Sequence, residues 1–129
     1  MSDRETSLPE RSFYLLLLAG APTVFMLHFL ATYIAAAVWC ARFVPRDGSL
    51  SGIRVAEAGL TLVALGCIAA IGWSGYRRHS YGSEALPHDM DTPEDRHRFL
   101  GFSTLLLAGL SAIATIFVAI STVMFQTCH

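Results

Sequence analysis

Three long apolar runs separated by two short polar stretches set the pattern of this chain: Phe13–Trp39, Val55–Tyr76 and Phe99–Phe125. A hydrocarbon core of about 30 Å is crossed by about 20 apolar helical residues. Each run reaches that length with no Asp, Arg or Lys inside it, and Glu57 is the one formal charge. A buried core helix of about 10–14 apolar residues is the competing explanation, and these runs are too long for it. The pattern predicts an all-α integral membrane protein with three transmembrane helices in an up-down-up bundle. Its helices are expected at about 8–43, 53–77 and 93–125, joined by loops 44–52 and 78–92, in a single domain over 1–129.

Local signals refine the ends. Ser7-Leu8-Pro9-Glu10 has the form of a capping box, which predicts that the first helix begins there. Pro22 lies inside the first run, where it removes one backbone hydrogen bond and is expected to kink the helix. Pro45, Asp47-Gly48 and Ser49 mark a turn, so the second helix is expected near Ser51 or Ile53. Thr92-Pro93-Glu94-Asp95 predicts the start of the third: a cap, a proline at the first helical position, then two acids at the positive helix end. Trp39 and the Tyr76-Arg77-Arg78 cluster suit the two interfaces.

Composition agrees with this picture. The chain has 129 residues, 53% of them hydrophobic, and a mean hydropathy of +0.50. Three spans leave room for tails and loops but for no separate soluble domain. The first run exceeds a cleavable signal's apolar core of about 7–15 residues, so it reads as a retained anchor. A net charge of -1 and the lack of a basic stripe argue against a nucleic-acid partner.

Arginines set the expected orientation. Arg4, Arg11, Arg77, Arg78, Arg96 and Arg98 fall on one side, and Arg42, Arg46 and Arg54 on the other. Basic residues accumulate on the cytoplasmic side. The amino terminus is therefore expected in the cytoplasm of a bacterial cell and the carboxyl terminus in the periplasm, across the inner membrane.

Small residues four apart allow close helix approach in lipid. Gly66, Ala70 and Ser74 form such a stripe on the second helix, Ser111, Thr115 and Ala119 on the third, and Ala31 and Ala35 a shorter one on the first. They are docking faces, either for one another or for a partner protein.

His28 is the leading candidate for chemistry. It lies about 11 residues from Trp39, roughly 16 Å deep. Ionisable groups there are costly and signal function. Depth matching brings Thr61 and either Ser111 or Thr115 to its level. The alternatives are a neutral imidazole bonded to a hydroxyl, a contact to a partner, a proton relay or a haem ligand. A haem held by two histidines of this chain alone needs a second intramembrane His, and none exists. His28, its neighbours Thr32 and Tyr33, and Glu57 are the expected buried polar or partner contacts. Arg54 lies three residues before Glu57 on the same helix face, which suits an ion pair; a proton entry point is the rival.

Cys40 and Cys128 end the first and third helices on the same side, where an oxidising compartment permits a disulfide. Two separate thiols, or a Cu(I) site with His129 and Met124, are the alternatives. Cys67 reads as packing. His88, Asp89, Asp91, Glu94, Asp95 and His97 read as a solvated loop and helix cap more than as a metal site. No catalytic triad, phosphate loop or zinc spacing is present, so independent catalysis is not expected.

Two segments carry a resemblance: Pro22-x5-His28-Phe29-Leu30-x2-Tyr33-x6-Cys40, and Arg96-His97-Arg98-Phe99-Leu100 leading to Cys128. Together they resemble small three-helix bacterial membrane proteins associated with haem-copper cytochrome c oxidases. Phe25 departs from the pattern, which has Trp there. The resemblance implies a non-catalytic accessory subunit that packs against the helices of a respiratory oxidase, with lipid around it. It binds no cofactor alone, while the partner complex carries haem and copper. An oxidase assembly factor handling copper or haem, and a homo-oligomeric proton or solute carrier using His28, are the alternatives.

Overall fold

The computed structural model describes residues 2–43, 50–79, 93–125 and 128. Three helices account for nearly all of them: α1 Ser2–Arg42, α2 Ser51–His79 and α3 Pro93–Met124. Each contains a segment long and apolar enough to cross a membrane: Ser12–Arg42, Ser51–Arg77 and Arg98–Met124. The protein is thus an all-α, three-helix membrane protein.

The helix ends follow local chemistry with one correction. α2 begins at Ser51 and α3 at Pro93, as the turn and cap signals predict. Thr92 itself lies outside the described residues. α1 begins at Ser2, upstream of Ser7. Ser7 is therefore interior to the helix and is not its cap, because a cap residue needs non-helical dihedrals. The preceding Arg4 and Glu5 are good helix formers and carry the helix outward. At 1.5 Å per residue α1 measures about 60 Å, roughly twice the hydrocarbon thickness.

The contacts fix an antiparallel register. On α1 and α2, His28 meets Thr61, and a Cβ on Gly20 or Gly52 meets Ile71 or Trp39 respectively. On α2 and α3, a Cβ added to Gly72 touches that of Ala108 at 3.2 Å, and Arg54 reaches Val123. α1 and α3 thus run parallel, with α2 opposed to both. The α2–α3 contact is the most extensive.

The reason is the closeness of their crossing. A Cβ on Gly75 comes 2.8 Å from the carbonyl oxygen of Gly101 and 3.1 Å from the Leu105 nitrogen. Two glycines bring the backbones together, where dispersion, not the hydrophobic effect, holds helices in lipid. Ala64, Ile68, Gly72 and Gly75 are the buried positions that continue this face along α2. Ala21, Ile68 and Ala108 form the apolar centre, with Val24, Ile71 and Ala112 packed against it.

The small-residue stripes divide. Ser111 and Thr115 are buried and Ala119 is half-buried, so the α3 stripe faces inward. Gly66 and Ala70 are exposed, and a Cβ on Gly66 meets nothing within 4 Å. Ser74 is half-buried and donates to the Ile71 carbonyl at 2.7 Å. The intrachain face of α2 is therefore not the Gly66–Ala70–Ser74 stripe; the larger Ile68 and the paired glycines 72 and 75 lie between it and α3. On α1, Ala31 is exposed and Ala35 half-buried. Cys67 is exposed and free, so it does not pack inside the bundle.

Arg54 ties one end of the bundle together. Its Nη2 donates to the carbonyls of Val123 and Phe125, each at 3.0 Å. The first belongs to the last turn of α3 and the second to the residue just beyond it, where carbonyls lack a partner within the helix. A cation there also opposes the negative helix end. Arg54 is thus a cap for α3 borrowed from α2, a role that the i,i+3 spacing to Glu57 does not reveal. Arg54→Gln is expected to cost about 1 kcal/mol. It should raise amide exchange over the last turn of α3 and leave the first turn unchanged.

Candidate functional site

The buried polar side chains of α1 and α2 lie toward the end that carries Cys40 and Cys128, while those of α3, Arg98, Thr104, Ser111 and Thr115, are spread away from it. His28 and Thr32 are one turn apart on α1 and both are buried, at 4% and 5% exposure. Glu57 and Thr61 are one turn apart on α2, and Glu57 is 7% exposed. Spacing of four residues stacks each pair on one helix face.

His28 Nε2 lies 3.0 Å from Thr61 Oγ1. The Thr61 hydroxyl donates its one proton to the Glu57 carbonyl at 2.8 Å. Its oxygen is then left to accept, so His28 supplies Nε2–H. In the neutral ring this leaves Nδ1 as a lone-pair acceptor. His28 Nδ1 and Thr32 Oγ1 are both buried and have no protein hydrogen-bond partner. Thr61→Val removes the acceptor of Nε2–H. It is expected to lower stability by about 1 kcal/mol, the usual scale for interhelical hydrogen bonds in membranes, read by unfolding in mixed micelles.

One turn outward, the same register brings Thr32 level with Glu57. From α3, Thr122 lies beside Glu57, its hydroxyl donating to the Ala119 carbonyl at 2.8 Å, and Arg54 acts on the carboxyl electrostatically. Glu57 forms part of the lining of a groove of about 340 Å³ that also includes Tyr33, Cys40, Thr122 and Cys128. A second groove on its other flank, about 290 Å³, runs from Arg54 and Thr61 to Ala119 and Val123. Glu57 therefore lies between two clefts, and its carboxyl is the one acidic group among their described lining residues.

The expected contacts fare unequally. His28, Thr32 and Glu57 are buried together, while Tyr33 is 66% exposed and lies at the edge of the groove that Glu57 lines. Residues 32 and 33 are adjacent, so a helix turns them about 100° apart. Of the hydroxyls matched to His28 by depth, Thr61 is the partner. Thr115 donates to the Ser111 carbonyl instead. With Glu57 beside Thr122 and Gly72 beside Ala108, α3 passes the Thr61 level near Val118, so Ser111 and Thr115 sit deeper. Thr32 was reachable from sequence only as the residue one turn from His28. Thr122 carries no such signal.

Cys40 and Cys128 are joined, with Sγ atoms 2.04 Å apart. A disulfide has no thiolate to offer Cu(I), so the copper arrangement of these two residues is not the one present. His129 and the loop residues His88, Asp89 and Asp91 lie outside the described residues. Among the described residues no three His, Cys, Asp or Glu side chains converge on a metal position.

A third groove, of about 540 Å³, runs along α2 and α3 toward the opposite end. Ala69, Gly72, Ala108, Gly109 and Ala112 line it with small side chains, and the exposed Trp73 and Tyr76 also border it. Arg77 stacks over the Trp73 ring, 6.0 Å from its centre.

No protein-family model, curated protein or solved structure matches the chain.

Proposed function

We propose that this protein is a non-catalytic subunit that docks sideways onto a larger membrane complex. The class of partner is a bacterial respiratory oxidase, on the strength of the resemblance carried by the Pro22–Cys40 and Arg96–Leu100 segments. The supporting observation is the uncovered small-residue surface of α2. Gly59 and Gly66 are exposed with nothing within 4 Å of an added Cβ, and Ala70 continues the same side. Glycine weakens a helix by about 1 kcal/mol relative to alanine and gains nothing from lipid chains, but it lets another helix approach closely. Only 11% to 22% of the most apolar part of each span is buried within the chain, which leaves ample surface for such a partner.

In this reading the Arg-rich side is cytoplasmic and the disulfide end faces the periplasm of a bacterial inner membrane. Single cysteines at Ser49 and Ser83 in a Cys67→Ser background test this. An impermeant thiol reagent added to whole cells should modify position 49 and spare 83; the reverse overturns the orientation.

The docking test is purification of the tagged full chain from its native membrane in mild detergent. Oxidase subunits and a haem spectrum are expected to accompany it, and Gly66→Leu is expected to lose both while the monomer stays folded. A chain that runs alone and colourless overturns the reading. Haem or copper on the isolated chain would favour the assembly-factor alternative.

A further inference from the structure

The polar layer around His28 holds two buried groups that no protein atom satisfies, and their chemistry is complementary. His28 Nδ1 is an acceptor, because Nε2 carries the ring proton toward Thr61. Thr32 Oγ1, one turn outward on the same face, can donate and accept. Both atoms are fully enclosed. A buried polar atom without a partner costs about 1–3 kcal/mol, and the cost is removed when a water takes part in about two to four hydrogen bonds at such a site. The third potential partner is Glu57, level with Thr32 across the α1–α2 contact and reached from the groove beside the Cys40–Cys128 bridge.

We propose that His28, Thr32 and Glu57 hold an internal water that links the Glu57 carboxyl to His28 Nδ1, forming a proton-storing site open only toward the disulfide end. The step is balanced. A protonated Glu57 carboxyl gives its O–H proton to the water, and the water gives one of its protons to Nδ1. The products are a carboxylate and an imidazolium, with the water regenerated and no net change of charge. Thr32 accepts from or donates to the water and orients it.

The path ends at His28. Its Nε2–H faces Thr61, whose hydroxyl proton is engaged by the Glu57 backbone carbonyl, a group that passes no proton onward. Deeper in the bundle Ala21, Val24, Ile68, Ile71, Ala108 and Ala112 form the apolar centre. The buried Thr115 and Thr104 hydroxyls on that side donate to the Ser111 and Leu100 carbonyls of their own helix, and buried Ser111 and Arg98 lie farther along α3 from His28. The charges facing the site are few. On α2, Arg54 sits beside Glu57 but is bonded to the α3 carbonyls. On α1, Tyr33 lines the groove beside Glu57 and carries a neutral phenol. From α3, Ser111, Thr115 and Thr122 bring no charge. The arrangement therefore stores a proton and does not conduct one.

Solid-state NMR of the ¹⁵N-histidine-labelled full chain in lipid bilayers tests the site, with His28→Leu identifying its signals. The expected result is an Nε2–H tautomer, a hydrogen-bonded Nδ1, and magnetisation transfer from water to the His28 ring. Thr32→Val, which keeps the shape and removes the hydroxyl, should lose the water transfer; Thr32→Ser should retain it. An Nδ1–H tautomer, no water transfer in the native chain, or transfer unchanged by Thr32→Val overturns the proposal. Liposomes loaded with a pH dye test the closed end. No proton leak above that of empty liposomes is expected, and a leak abolished by His28→Leu overturns it.

Discussion

Gly75→Leu is expected to destabilise the bundle by about 3 kcal/mol, the upper range for overpacking a close contact. The first added carbon already meets backbone: the Gly101 oxygen at 2.8 Å and the Leu105 nitrogen at 3.1 Å. A flexible side chain can move aside, but two helix backbones can only separate. Separation breaks the most extensive interface in the molecule and loosens Gly72 against Ala108. Gly66→Leu is the control. It lies on the same helix with open space around it, so its effect on the isolated chain should stay within about 0.5 kcal/mol. Unfolding of both variants in mixed detergent micelles reads the difference. Equal stability of the two variants would show that α2 and α3 do not cross at Gly75.

Removing the bridge between Cys40 and Cys128 should cost about 2–4 kcal/mol. The two residues are 88 positions apart, so a long loop is closed. The chain-entropy model gives about 4–5 kcal/mol for such a loop in water. A bilayer already confines the three helices when the link is cut, which lowers the expected value. The Cys40→Ser/Cys128→Ser pair should behave like the reduced native chain. The chain contains three cysteines, of which Cys67 is free. Denatured protein should therefore take up one maleimide before reduction and three after it. Uptake of three without reductant would remove the bridge.

Much of the architecture was readable because lipid imposes a strong constraint on sequence. Backbone polar groups in hydrocarbon are satisfied within a helix, so length and apolarity alone identify the three spans. Pro93 and Ser51 marked their helix starts because local chemistry acts there without help from packing. Ser7 misled because the same cap signal yields when the residues before it continue the helix. The bridge was legible because helix parity places residues 40 and 128 on one side.

The inward face of α2 was not legible. Gly66, Ala70 and Ser74 repeat more regularly than Ile68, Gly72 and Gly75, yet the second set meets α3. Apolar residues surround each span, so no polar side marks which way the helix turns. The choice depends on helix rotation, set by the backbone contact at Gly75 and by Arg54 at the far end. For the same reason His28 could be paired with Thr61 by depth, whereas Thr122 required the register of α3.

The bridge also records the history of the chain. Its two sulfurs can meet only after the last helix has threaded the bilayer in the proper direction, since otherwise one thiol is stranded across the membrane from the other. Oxidation is thus a covalent stamp on completed insertion. A cell that degrades the unstamped form could sort finished molecules from misthreaded ones without inspecting anything else about their shape.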